Sequence, residues 1–211
     1  MRQHSMRSLS LVAITLALPL WAEAAELSSQ PSDGARFESK LVLDIKAKSM
    51  VGPSIQLDDN NIAHVAWMEE KENARTLRHA HTVPSGESLS LPVSVNGQDE
   101  VPYWRQEAPA LEVQGEHIYL VWAKMPPQSQ ADKPFANELR LSRSIDGGKT
   151  FLPSALINDD SELVNHSFDS IRIGRDGAIH VAWIDGRGGK KASGTYVSRS
   201  IDHGLTFDKN K

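Results

Sequence analysis

An all-β chain of repeated four-stranded antiparallel sheets is what this sequence predicts, and three observations predict it. First, three apolar segments end in tryptophan at nearly regular intervals: NIAHVAW at Trp67, EHIYLVW at Trp122 and AIHVAW at Trp183. Second, each is preceded by another short apolar run and a turn: PSIQLDDNN, PALEVQGE and DSIRIGRDG. Third, each is followed by a third run that leads into a polar decapeptide or its degenerate counterpart, and helical signals are absent after residue 25. Short strands repeating every 50 residues or so form sheets that cannot bury both faces alone, so they must stack on one another.

In chain order, residues 1–24 read as a signal peptide. Arg2 and Arg7 give the positive start, SLSLVAITLALPLWA the apolar stretch, and Ala22-Glu23-Ala24 the small-residue cleavage site. An uncleaved anchor is the alternative. Export makes the mature chain secreted or periplasmic, with no membrane span after cleavage, since no later apolar run is long enough. The chain has no cysteine, which excludes both a lipid anchor and a disulfide, so stability must come from packing. Residues 25–36 read as a flexible linker, and FESKLVLDI (37–45) as a strand of a preceding or closing blade.

Three blades follow, at about 53–96, 109–158 and 169–211. The strands alternate with period 2 yet are apolar on both sides. Ile118, Leu120 and Trp122 point one way, and His117, Tyr119 and Val121 the other. A sheet covered on both faces is the pattern of a β-propeller blade. LPVSVN and SALIND read as fourth strands of the first two blades, while the third blade ends before one. A formal charge of −4 with a pI near 6.1 gives no reason to expect a nucleic-acid partner.

The decapeptides SRSIDGGKTF (142–151) and SRSIDHGLTF (198–207) carry a family resemblance. They resemble the Asp box, S-x-D-x-G-x-T-F/W, of the sialidase superfamily, and DG-x-IHVAW-x-D-GR resembles the second strand of a sialidase blade. The first blade has a decayed box, with Pro84 where Asp146 stands in the second. The resemblance covers nearly all of the mature chain. It implies a sialidase-like β-propeller, here about three blades of a six-bladed parent. Every residue of the box is accounted for by folding a hairpin. Asp146 and Asp202 can accept backbone N–H groups, Gly148 and Gly204 admit positive φ, Ser144, Ser200, Thr150 and Thr206 add hydroxyls, and Phe151 and Phe207 anchor the turn. In such propellers the box lies on the face away from the ligand.

Ligand chemistry therefore belongs on the opposite loop face. DEVPYWRQE gathers Asp99, Glu100, Tyr103, Trp104, Arg105 and Glu107, an aromatic plate beside a guanidinium and carboxylates that suits a sugar. The plainer alternative is a covered blade seam with solvated charges. Asp185 and Arg187 in WIDGR follow a core strand where the family often enters its site, with a local salt bridge as the alternative. Glu69 and Glu70 are adjacent on a strand and point to opposite faces, so they are not a catalytic carboxylate pair. His79 and His81 share a strand face, but two ligands do not complete a metal site. His64 and His180 occupy equivalent positions, which suggests packing against a neighbouring blade. No metal or cofactor is expected.

The resemblance would imply an arginine triad, a tyrosine nucleophile with a glutamate, and an aspartate acid. The positions matching the family's first arginine are Val51, Glu107 and Ser167, and the loop after Arg187 has no acid. No catalytic residue carries over. The expected function is an exported, non-catalytic propeller that binds a glycan or protein surface. The alternatives are a fragment of an exo-α-sialidase-type hydrolase completed by missing blades or a partner chain, and a structural scaffold of an envelope assembly. Three blades cannot close a ring, which takes about four. Truncation, or self-association of two chains through open blade edges, would account for that.

Overall fold

The computed structural model describes residues 49–71, 74–85, 88–103, 108–126, 133, 135–189 and 193–211. The signal peptide, the linker, the 37–45 strand and residues Trp104, Arg105 and Glu107 lie outside the described residues. Among the described residues no helix is long and apolar enough to cross a membrane.

The described chain forms three antiparallel sheets. The first is β1 (Ser49–Leu57), β2 (Ala63–Lys71), β3 (Ala74–His81) and β4 (Val93–Ser94), hydrogen-bonded in that order. The second repeats the order with β5 (Ala110–Gln114), β6 (His117–Lys124), β7 (Glu138–Ser144) and β8 (Ala155–Leu156). The third has β9 (His166–Ile173), β10 (Ile179–Asp185) and β11 (Gly194–Ser200). First strands lie beside first strands, β1 against β5 and β5 against β9. This is a propeller-like arrangement.

Local chemistry sets the turns. Asp58 accepts the amides of Asn60 (2.9 Å) and Ile62 (2.8 Å) between β1 and β2. Gly115, at φ +59°, permits the two-residue turn between β5 and β6. β1 is broken by a register shift between Val51 and Ser54, where Gly52 has φ +60° and Pro53 has no amide to donate.

The middle sheet is buried on both faces, as its double apolar alternation requires. Ile118, Leu120 and Trp122 pack with Ala66, Met68 and Leu77 of the first sheet. Tyr119 and Val121 pack with Ile179, Val181 and Trp183 of the third. Each large side chain fully removed from water contributes about 1.5–3 kcal/mol, so these two seams supply most of the stabilisation. Trp122 Nε1 donates to Ser142 Oγ at 3.0 Å, so its burial leaves no orphaned donor.

One expectation is extended and one corrected. The third sheet has three strands, as expected, but the residues after its decapeptide pair along its edge. Asp208 N donates to Arg199 O, and Val197 and Lys211 exchange two backbone hydrogen bonds of 3.0 and 3.1 Å. A strand reading that required an apolar run missed DKNK, because backbone pairing at a sheet edge needs no apolar side chain. Nor are His64 and His180 alike. His64 is buried in the seam between the first two sheets, whereas His180 is exposed on the outer face of the third.

The decapeptide turns follow one pattern. Ser144 Oγ donates to Asp146 Oδ1 (2.7 Å), Gly148 N to Ser144 Oγ (2.9 Å), and Thr150 donates its amide and hydroxyl to the two Asp146 oxygens (3.0 and 2.6 Å). Ser200, Asp202, Gly204 and Thr206 repeat every one of these contacts. The Thr150 hydroxyl and then Ser144 hold the Asp146 carboxyl well below the usual carboxylate range, and Thr206 does the same for Asp202. Gly148 (φ +85°) abuts the ring of His79 in the first sheet, and Gly204 (φ +80°) abuts Leu141 in the second. Phe151 meets the His79 ring edge-on, and Phe207 packs against the seam between the second and third sheets.

Candidate functional site

At the sheet ends opposite the decapeptides, β2, β6 and β10 terminate in charged residues. Most of those charges are already paired. Glu69 accepts from Arg78 Nε at 2.6 Å, Glu70 lies 3.8 Å from Arg75, and Glu138 is held by Lys124 and Arg140. Glu69 and Glu70 have different partners, consistent with their opposite strand faces.

Of the DEVPYWRQE residues, Tyr103 is anchored through its amide to Ala123 O (2.8 Å). With Met68, Trp122 and Asp169 it lines a narrow hollow of about 10 Å³, too small for a sugar ring. Glu100 turns inward: it accepts Gly97 N at 3.0 Å and meets the Ser154 hydroxyl of the second sheet. That carboxylate closes its own loop and is not presented to a ligand.

Asp185 and Arg187 do come together, in a larger constellation than their spacing suggested. Gly186 and positive φ at Gly188 and Gly189 shape the turn after β10, and Arg187 N donates to Asp185 Oδ1 at 2.8 Å. The Arg187 guanidinium then reaches Asp185 Oδ2 (2.8 Å), Asp159 Oδ1 (2.6 Å) and Asn210 Oδ1 (2.9 Å), and stacks 4.4 Å from the Tyr196 ring centre. Burial disfavours the charge on Arg187, but hydrogen bonds to Asp185 and Asp159 outweigh it and raise its pKa. Burial likewise pushes Asp185 up, while Arg187 and Trp183 Nε1 (2.8 Å) bring it below the usual range. Arg187 is thus occupied by carboxylates of its own chain. Asn210 also exchanges bonds with Asp159, tying the C-terminal segment to this corner.

The NDDSELVNHSF loop adds two residues that sequence reasoning passed over, Asp160 and His166. Asn137 holds the loop in place. Its side-chain oxygen accepts His166 N (3.2 Å), its carbonyl faces His166 Nδ1 (2.8 Å), and its amide donates to Val164 O (3.0 Å). His166 Nε2 lies 3.1 Å from Asp160 Oδ1 and 3.5 Å from Asp185 Oδ2. Asp160, His166 and Asp185 are a group whose ligand atoms all lie within 4.8 Å of one another. The available signal was the presence of two aspartates and a histidine in the loop adjoining the end of β10.

Beside this group runs a cleft of about 190 Å³ between the end of β8 and the start of β7. Asn137, Glu138, Asn158, Asp160 and Glu162 give it polar groups, and Leu156 and Leu163 apolar surface.

No protein-family model matches the sequence, and no curated protein matches it. Solved structures do. An α-L-arabinanase of Penicillium chrysogenum, complexed with arabinobiose, is similar with TM-score 0.53 at 12% identity, over 76% of this chain and 48% of that one. An endo-1,4-β-xylanase of Bacteroides thetaiotaomicron gives 0.49 at 12% identity, over 83% and 62%. The NanB sialidase of Streptococcus pneumoniae gives 0.39 at 17% identity, over 69% and 20%. The chain spans less than two thirds of the length of these structures. At such identities the likeness concerns the fold alone. The arabinanase match agrees with the sheet order: the chain has a propeller-like, all-β fold.

Proposed function

We propose that this chain is part of an exported, sialidase-superfamily-type propeller that binds a neutral glycan on its loop face and does not hydrolyse it. The observation that carries the reading is the cleft beside Asp160. Its amides and carboxylates suit sugar hydroxyls, its leucines suit a sugar's apolar face, and none of its described lining residues is a cation that would pair with a sugar acid. Arg187, beside the cleft, is occupied by three aspartates. The repeated Ser-Asp-Gly-Thr turn supports the superfamily assignment, and the fold shared with an arabinanase supports a carbohydrate ligand. The non-catalytic reading is supported by the absence of the family's arginine at Val51, Glu107 and Ser167. Tyr103, Trp104, Arg105 and Glu107 belong to the proposal as a neighbouring stacking platform.

Calorimetric titration with neutral pentose and hexose oligosaccharides, beside 3′-sialyllactose, tests this. We expect saturable binding of a neutral oligosaccharide, weakened at least about tenfold by Ser161→Trp, which fills the cleft from an exposed position. Preference for the sialoside, or no saturable binding of any glycan, overturns the ligand assignment. Turnover of a fluorogenic glycoside overturns the non-catalytic reading and favours the alternative, a glycoside hydrolase segment.

A further inference from the structure

His166 sits in a corner where three carboxylates share a single guanidinium. Its side chain has no exposed surface, and both ring nitrogens face oxygen acceptors. Nδ1 lies 2.8 Å from the Asn137 carbonyl, which can only accept, so Nδ1 carries a proton. Nε2 faces Asp160 Oδ1 and Asp185 Oδ2, both on buried side chains. Three carboxylates gathered around one guanidinium leave an excess of negative charge that favours a further cation. Arg187 supplies one charge, but it is shared among Asp159, Asp160 and Asp185. Asp160 Oδ2 is buried without a hydrogen-bond partner, on a side chain only 7% exposed.

We propose that Asp160, His166 and Asp185 bind a divalent first-row transition-metal ion of the Zn2+ class, where the 158–165 loop meets the end of β10. One imidazole nitrogen and two carboxylate oxygens are a donor set such ions accept. Ligands about 2.05 Å from a tetrahedral ion stand about 3.3 Å apart. The 3.1 and 3.5 Å separations at Nε2 bracket that spacing. The outer shell is also in place. The Asn137 carbonyl orients the ring through Nδ1–H, Asn158 Nδ2 donates to Asp160 Oδ1 at 2.8 Å, and Trp183 Nε1 and Arg187 donate to Asp185 Oδ2. This inference shares Asp160 with the glycan cleft but does not require that a glycan bind there.

The test uses the full chain stripped with chelator and titrated with Co2+, followed by visible d–d absorption and by NMR of the histidine rings. We expect one Co2+ per chain, displaced by Zn2+, with the His166 ring resonances shifted and those of His64, His79 and His81 unmoved. His166→Gln and Asp160→Asn should each weaken Co2+ binding at least about tenfold, since loss of a ligand costs no less than loss of an outer-shell partner. Asp176→Asn, in the β9–β10 turn at the other end of the third sheet, should leave it unchanged. Absence of saturable binding by the wild-type chain overturns the proposal, whatever the variants do. So does binding that shifts the His64, His79 or His81 rings instead, or that both variants retain.

Discussion

Gly147 and Gly148 stand side by side in one turn, both at positive φ, yet substitution should affect them differently. A Cβ on Gly147 meets nothing within 4 Å, so Gly147→Ala carries only the left-handed backbone penalty of about 1–2 kcal/mol. A Cβ on Gly148 runs into the His79 ring, which stacks on His64 and meets Phe151 edge-on, and so cannot swing aside. Gly148→Ala should therefore lower stability by at least about 2–4 kcal/mol, read as the larger fall in thermal midpoint. The decapeptide was legible in the sequence because every internal contact of the turn spans four residues or fewer. Asp160 and His166 were not, because their placement depends on Asn137, 29 residues from His166. A composition-based reading of a loop contains no information about which distant backbone will hold it.

At the scale of the element, β2 and β3 bring three imidazoles into one seam. His64 Nδ1 lies 3.1 Å from His79 Nε2, and the rings of His64, His79 and His81 stand 5.3 to 6.2 Å apart. Burial, and then the neighbouring His64 and His81, push His79 from 6.5 down to about 3, and burial lowers His64 as well. An unfolded chain takes up a proton on such a ring below about pH 6.5, which the folded chain refuses until about pH 3. Stability is therefore fully present above pH 6.5 and is lost as pH falls, by about 1.4 kcal/mol per unit for His79. Thermal midpoints at pH 7, 6 and 5.5 should fall in that order, above the range where carboxylates titrate, and His79→Gln should flatten the slope. The sequence placed His79 and His81 on one strand face. It did not join His64 to them, because the pairing of His64 with His81 is a matter of register between two strands.

For the whole described molecule, burial is uneven. The middle sheet is covered on both faces, but Ile184 and Val197 on the outer face of the third sheet are 37% and 46% exposed, and Ile55 and Leu57 of β1 are 66% and 54% exposed. Apolar sheet surface of this kind favours association. Sedimentation velocity should show concentration-dependent self-association, and Ile184→Lys with Val197→Lys should shift the chain towards monomer. The three-sheet architecture was readable from Trp67, Trp122 and Trp183 because each tryptophan lies in a second strand whose periodicity is strictly local. The pairing of residues 208–211 with β11 was hidden, since it rests on backbone groups that every sequence shares. The two glycine seats also give the stack a direction. Gly148 closes against the sheet before its own, and so does Gly204, each needing a surface that the chain has already made. A chain that emerges amino end first, from a ribosome or an export channel, delivers those surfaces in that order, so the second and third sheets each meet a seat already made, and assembly can run from the amino end without waiting for what comes next.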